Sequence, residues 1–457
     1  MRDLGTAQRV HMVGIGGSGM SALASLLLQM GKQVSGSELS PGSATEYLRD
    51  RGAVVWNTHA AGNLGQADYV IRSSAVPADN PEVAEADRRG LSSRKLAEAV
   101  GELMVGRSGI AVAGTHGKTT TTALVSWLLE SGGLDPLVLI GADTPTYPLG
   151  ARIGDGPIVV EADEYDRRFL SYFPEVAVVT SIEADHLDYY ADLAEIRAAF
   201  QMMVERLPEQ GRLIVCADDA RATALASPAL RETYGFAADA DWRIGDYAAS
   251  LGHGTRFTLH AHGRAWRVES PLLGKHNASN VVAAIAVSDY YGVGLLAALA
   301  SLPRFRGPRR RFETKGRPRG IWVVDDYGHH PSEVSAVLQA AAEVIVGEVW
   351  IVFQPHTTNR TGALLQEFSA AFRNAEHALI LPIFRPSGRE TAARPVSSED
   401  LVDGIRRSGH PDVRLVESFD AAQEAVVSGA NTGDLVLTMG AGDVTALSER
   451  LVKALDP

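Results

Sequence analysis

Ile110-Ala111-Val112-Ala113-Gly114-Thr115-His116-Gly117-Lys118-Thr119 decides the fold, because an apolar run passes through a glycine-bearing turn into a helical pattern. Residues 110–113 read as a short buried strand, and 120–129 as a helix closed by Gly132-Gly133. Backbone N–H groups in such a turn, added to the positive end of the following helix, cradle phosphate oxygens. Lys118 is spaced to reach the outer phosphates and Thr119 to ligate a magnesium ion, so the loop predicts ATP. The usual spacing puts a further glycine at position 112, where this chain has Val112, which makes the loop a variant. A strand-turn-helix built from small residues for tight packing is the competing account of these few letters. The rest of the chain weighs against it.

The chain has 457 residues, long enough for about three domains of ordinary size. A formal charge of -12 argues against a nonspecific nucleic-acid binder, which needs a basic surface to displace counterions. The single cysteine, Cys216, excludes an intrachain disulfide and thiol-pair redox chemistry, and fits a reducing compartment. No apolar run approaches the roughly 20 residues that span a bilayer, and the N-terminus lacks a signal-like core. The expectation is a soluble cytoplasmic protein without membrane insertion.

Outward from the loop, short apolar runs alternate with helical patterns, the rhythm of parallel sheets. Residues 10–13, 20–30 and 33–36 give strand, helix and strand; 158–160, 176–179 and 213–215 give further strands that end in polar residues, where open parallel sheets place their sites. Between about 247 and 270 the pattern alternates with glycines and predicts an antiparallel hairpin. The Pro, Gly and Arg-rich stretch 303–320 reads as a linker or hinge. Beyond it, 321–324, 349–353, 378–381 and 435–437 read as strands of a third sheet.

Several constellations could carry chemistry. Gly14-Ile15-Gly16-Gly17-Ser18-Gly19 follows a strand and opens a helix, the context of a diphosphate-binding turn, and Glu38 lies where a ribose hydroxyl would be met. Alone this suggests a nicotinamide dehydrogenase, but hydride transfer has no use for a second phosphate loop, and a UDP-sugar meets the same requirement. Glu161-Ala162-Asp163-Glu164 and Glu183-Ala184-Asp185-His186 follow strands near the Gly114 loop, which makes Glu161 and His186 candidate metal ligands; each carboxylate could also simply cap a helix. Asn277 and Asn280 stand one turn apart on a helix and could read an adenine edge, or serve as a cap and a buried contact. Of Arg309-Arg310-Arg311, one arginine could meet a transferring phosphoryl group, although charge runs usually face water. Asp325-Asp326-Tyr327-Gly328-His329-His330-Pro331 lacks the spaced ligands of a zinc set, which favours hydrogen-bonding roles. Phe353-Gln354-Pro355-His356 is followed by Arg360, a candidate for a substrate carboxylate. Gly440-Ala441-Gly442-Asp443 closes the last main strand.

These stations, taken in order, resemble the Mur ligases of peptidoglycan synthesis nearly end to end. The resemblance rests on 14–20, 114–122, 161–164, 183–186, 276–280, 325–331, 353–356 and 440–443. It implies an α/β protein of three domains: a Rossmann-like domain for the UDP-sugar at 1–102, a central P-loop ATPase-like domain at 103–312 and a C-terminal Rossmann-like domain for the amino acid at 313–457. It further implies that ATP phosphorylates the muramic-acid carboxylate of UDP-N-acetylmuramate, and that the amine of L-alanine attacks the acyl phosphate to give the amide, ADP and phosphate. The alanine-adding branch is favoured by Phe200, which stands where later-acting siblings carry a carbamoylated lysine.

By the same resemblance, Gly14, Gly16, Gly17, Ser18, Gly19, Met20, Ser37 and Ser74 hold the UDP-sugar. Gly114, Thr115, His116, Gly117, Lys118, Thr119 and Thr120 hold ATP with Asn277, Asn280 and Asp326. Magnesium falls to Thr119, Glu161 and His186, while Lys118, Glu161, His186, Arg310 and Arg311 are the catalytic set. Tyr327, His329, His356 and Arg360 line the alanine pocket. Thr357-Thr358-Asn359 depart from the aromatic and threonine or serine that usually precede that arginine. The rivals are a murein-peptide recycling ligase that joins a tripeptide to the same nucleotide sugar, and a noncatalytic UDP-sugar or ATP sensor; a monomer or homodimer is expected.

Overall fold

The computed structural model of the protein describes residues 3–385 and 396–456. Its strands gather into three sheets, and its contacts divide into two compact units. One comprises Met1–Ile182, Ile196–Arg243 and Asn280–Ser301; the other comprises Glu183–Glu195, Ile244–Ser279 and Leu302–Pro457.

The first unit opens with five parallel strands in the spatial order Val54–Trp56, Gln33–Ser37, Arg9–Val13, Tyr69–Arg72 and Ser92–Lys95. The first strand of the chain is therefore central, and the connections leave it to one side and then the other. That reversal creates a crevice at the carboxyl ends of Arg9–Val13 and Tyr69–Arg72, the place where open sheets take ligands. Gly14 directly follows the first of these strands, and Ser74 lies two residues beyond the end of the second.

The same unit holds a second sheet around Gly109–Ala113, flanked by Val176–Val179 and Ile158–Glu161. Outward from these run Arg212–Cys216 and Leu230–Gly235 on one side, and Leu137–Leu139 with the short antiparallel Ala151–Arg152 on the other. Strands buried on both faces need continuous apolar runs, and Ile110, Ala111, Val112 and Ala113 are all fully buried. Val112 pairs in register with Val178 and Glu161, so the position that lacks the usual glycine belongs to the strand rather than to the turn. The following helix runs Lys118–Ser131 and ends at Gly132, as the glycine pair predicts, but it starts two residues before the expected Thr120.

The strand Trp242–Ser250 carries the chain into the second unit, where Gly254–Ala261 and Arg264–Ser270 form the expected antiparallel hairpin. The third sheet runs in the order Glu313–Gly316, Trp322–Asp326, Leu435–Met439, Val349–Phe353, His377–Ile380, Val413–Leu415. All its pairs are parallel except the first. Apolar side chains cover both faces, with Ile351, Phe353, Phe368 and Leu437 on one and Val323, Val352, Leu379 and Leu447 on the other.

This sheet corrects the linker expected at 303–320. Within it, Glu313–Gly316 pairs antiparallel with Trp322–Asp326, and Trp322 Nε1 donates to Thr314 Oγ1 at 3.0 Å. An edge strand needs pairing on one side only, so it tolerates the flanking proline and glycine that masked it.

Candidate functional site

Around Gly114 the structure binds the loop to the carboxyl end of the neighbouring strand. Thr115 N donates to Ser181 O at 2.8 Å, His116 N to Ser181 Oγ at 3.2 Å, and Thr180 Oγ1 to His116 O at 2.5 Å. Gly117 is the N-cap of the helix and has φ of 79°. A Cβ there would stand 2.6 Å from Asn280 Oδ1 and in a left-handed conformation, so both backbone and space require glycine. Because the cap has no side chain, it accepts none of the first-turn amides, which is the arrangement an anion needs.

Lys118 is the first helical residue, and its Nζ lies 2.6 Å from Gly114 O, 3.2 Å from Thr115 O and 2.8 Å from Glu164 Oε2. Burial pulls the ammonium down, but Glu164, Asp163 and Glu161 outweigh it and hold the pKa above its ordinary value. The lysine is therefore a fixed cation curled over its own loop. Thr119 Oγ1 donates to Glu161 Oε1 at 3.0 Å, and Gly141 N donates to the other carboxylate oxygen at 2.8 Å. A hydroxyl beside a carboxylate is a hard-oxygen pair of the kind magnesium takes. Thr120 is buried one residue further on. Glu164, in the motif already singled out but without a role assigned from sequence, is the direct partner of Lys118.

At the crevice of the first sheet, Gly14 N and Ile15 N both donate to Ser37 O, at 2.9 and 3.1 Å. Gly17 caps the helix Ser18–Gln29 without a side-chain bond, Gly19 lies against Leu96, and Met20 is buried. Glu38, placed near a ribose by its spacing, bonds the turn itself: its Oε2 accepts from Gly16 N at 3.0 Å and its Oε1 from Ser40 N at 3.1 Å. Ser37 is fully buried, with Oγ 2.5 Å from Glu82 Oε2 and 2.8 Å from His59 Nδ1. Its side chain points into an internal network, and its carbonyl is the part that meets the glycine turn. Ser74 is partly exposed.

The second unit gathers the predicted amino-acid residues. Tyr327 and His329 stack edge-on with centroids 5.4 Å apart, His329 and His356 lie 5.6 Å apart, and Arg360 Nη1 is 3.2 Å from His356 Nδ1. Arg360 Nε and Nη2 both donate to Asp185 Oδ1, at 3.0 and 2.8 Å. Burial would raise the Asp185 carboxyl, but Arg360 overrides it and holds it far below the usual carboxylate range. His329 is neutral at pH 7: burial, then the Arg360 charge, push its pKa down to about 3. Asp185 had been quoted only as part of a motif; its role as the anchor of Arg360 emerges from contacts across 175 residues of sequence. His186 adjoins Asp185, at 3.8 Å, with a backbone φ of 54°.

Several assigned residues are spent on internal bonds. Arg310 Nε reaches Asp325 Oδ2 at 3.0 Å and its Nη2 donates to Gly440 O at 2.6 Å, which ties the 310 turn to the end of the third sheet. Arg311 is looser, with its guanidinium 3.9 Å from Glu333 and 5.1 Å from the Tyr327 ring. Asp326 accepts from Phe312 N and Gly328 N at 2.8 and 2.7 Å, and burial raises its pKa to about 6 against the pull of Arg311. Asn277 Nδ2 donates to Leu273 O at 2.8 Å, whereas Asn280 packs against Gly117 of the phosphate loop.

A phosphate loop with a fixed lysine, an α/β crevice with a second glycine turn, and a histidine-arginine cluster at a further sheet together define a nucleotide-dependent ligase architecture. Sequence models agree. The Mur ligase family catalytic domain matches residues 9–108, the Mur ligase middle domain 112–288, and the Mur ligase glutamate ligase domain 310–442. The chain belongs to the Mur ligase family.

Among its relatives, UDP-N-acetylmuramate–L-alanine ligase of Thermobifida fusca is 43% identical over 98% of this chain and 96% of the relative. The enzyme of the same name from Syntrophotalea carbinolica is 41% identical over 99% of each. Among solved structures, UDP-N-acetylmuramate-alanine ligase from Thermotoga maritima superposes with a TM-score of 0.82 at 28% identity, over 97% of this chain and 98% of that one. A murein peptide ligase from Psychrobacter arcticus gives 0.72 at 26% identity, over 98% of each.

Proposed function

We propose that this chain joins L-alanine to the lactyl carboxylate of UDP-N-acetylmuramate at the expense of ATP, through an acyl phosphate, as a cytoplasmic step in making the bacterial wall. The observation that carries the reading is the Gly114 loop, where Lys118 is held between loop carbonyls and Glu164 beside the Thr119–Glu161 oxygen pair. Such a cluster offers fixed positive charge and hard oxygen ligands to a transferring phosphoryl group. The alanine-ligase name borne by relatives above 40% identity favours L-alanine over the tripeptide of the recycling ligases.

In this assignment 1–102 takes the UDP-sugar, 103–312 ATP, and 313–457 the amino acid. Gly14, Gly16, Gly17, Ser18 and Gly19 present amides to the diphosphate, with Met20 buried beneath the turn, Ser74 across the crevice and Ser37 fixing the turn through its carbonyl. Glu38 must then release the Gly16 amide. Gly114, Thr115, His116, Gly117, Lys118, Thr119 and Thr120 cradle the ATP phosphates. Asn280 supports that cradle and Asn277 faces the base. Magnesium, held by Thr119, Glu161 and His186, would neutralise charge that develops on the phosphoryl oxygens. Arg311 is freer than Arg310 to reach a phosphate, Arg310 and Asp326 hold the turn that presents it, and Asp326 lies toward the ribose. Arg360, anchored by Asp185, takes the alanine carboxylate, beside Tyr327, His329 and His356.

ATP-dependent phosphate release with UDP-N-acetylmuramate and a panel of L-alanine, glycine, L-serine and the tripeptide tests this. Turnover led by L-alanine is expected. Absence of turnover with L-alanine, or preference for the tripeptide, would overturn the reading.

A further inference from the structure

The strand His377–Ile380 leads into Leu381-Pro382-Ile383-Phe384, and Phe384 comes to lie beside the histidine cluster although no motif pointed to it. Its backbone forms a parallel bridge with His356: Phe384 N donates to Pro355 O at 2.8 Å, and Thr357 N donates to Phe384 O at 3.0 Å. The bridge fixes the ring flat against the His356 imidazole, with centroids 5.8 Å apart and planes 17° from parallel. Tyr327, His329, His356 and Phe384 thus form one continuous row of rings, with successive centroids 5.4, 5.6 and 5.8 Å apart.

Behind the row stands Gly442. A Cβ on it would clash with Gln354 Oε1 and lie 2.7 Å from the Phe384 ring, so glycine is what lets both side chains sit this close to the end of the Leu435–Met439 strand. Phe384 is half-buried. It is therefore a wall of the cluster rather than part of the apolar core, and its backbone is pinned by two hydrogen bonds while its side chain meets the residues assigned to the amino acid.

We propose that Phe384 is a specificity-determining residue, which closes the side of the amino-acid pocket next to His356 and limits the substrate to a small side chain. The inference rests on the alanine-ligase reading. The physical reason is steric: one methylene too many in a closed pocket costs about 10 to 200-fold in kcat/KM, and removal of an aromatic wall relaxes that penalty. Thr357, whose φ of 65° turns the chain after His356, and Arg360, anchored by Asp185, hold the segment that carries His356, so the Phe384 ring is the wall that a substitution can remove.

The test measures kcat/KM for L-alanine and L-valine in the wild type, Phe384→Ala, Phe384→Leu and Gly442→Ala. The expected result is a fall of about tenfold or more in the alanine-over-valine ratio for Phe384→Ala. A smaller fall is expected for Phe384→Leu, and Gly442→Ala, which displaces the ring from behind, should also lower the ratio. The KM for ATP should stay near wild type in all three. An alanine-over-valine ratio unchanged in Phe384→Leu and Gly442→Ala would overturn the inference, even if Phe384→Ala failed to fold. A wild type inactive with L-alanine would instead overturn the function on which it rests.

Discussion

Lys118 shows how a charge is readied before its ligand arrives. Its ammonium is held by Glu164 and two loop carbonyls, so it pays little reorganisation when a phosphate displaces one of them. Lys118→Ala should lower phosphate release at least about a thousandfold, as loss of a charge that stabilises a transferring phosphoryl group does. UDP-sugar binding, read by titration, should persist. Glu82 makes a second prediction. Burial would raise its pKa, but the His11 ring 3.6 Å away and hydrogen bonds from Ser37 and Asn63 pull it down to about 2. A folded pKa below the unfolded value means that the stabilisation is complete above about pH 4.5 and is lost as pH falls toward 2. The difference corresponds to roughly 3 kcal/mol. Glu82→Gln should flatten the acid limb of a denaturation-against-pH curve, and an unchanged limb would refute the assignment. Lys118 was legible in the sequence because its neighbours are local. The partners Glu164, Asp185 and Phe384 were not, because nothing in a linear spacing says which carboxylate turns toward which cation.

Elements add constraints that single side chains do not. The Gly117 cap sets where the helix Lys118–Ser131 begins, and its positive φ brings the loop against Asn280. Gly117→Ala should cost about 1–2 kcal/mol from the left-handed backbone alone, and it should raise the KM for ATP. Thermal unfolding and nucleotide titration would measure the two effects separately. At the other end of the chain, His377 sits between Asp412 and Glu348, at 2.6 and 3.0 Å, and stacks on Trp350. Burial lowers its pKa, but the two carboxylates win and raise it. The stabilisation is complete below the unfolded value near 6.5 and is lost as pH rises through the raised one. His377→Gln should be destabilising at pH 6 and nearly neutral at pH 9, measured by denaturant midpoint. Long periodic elements such as 110–113 and 349–353 were plain in the sequence. The edge strand Glu313–Gly316 was not, since its pattern is short and its pairing comes from a neighbour.

For the whole chain, three sheets present three sets of turns at the carboxyl ends of parallel strands, and the proposed assignment of one substrate to each set rests on them. UDP-N-acetylmuramate at a hundred times its Kd should raise the unfolding free energy of the protein by about 2.7 kcal/mol, and Lys118→Ala should keep that shift because the site proposed for the sugar nucleotide is the separate Gly14 turn. Loss of the shift in the variant would show the two sites to be one. The sequence by itself determined the α/β class, the position of both glycine turns, the motif order and the membership of the family. Each of these depends on periodicity or on residues adjacent in the chain. Only the tertiary structure decided that Glu164 holds Lys118, that Asp185 anchors Arg360, that Ser37 turns inward to Glu82, and that Phe384 completes the row of rings. Those pairings join residues tens to hundreds of positions apart, and they are set by the register and order of strands, which local pattern does not encode.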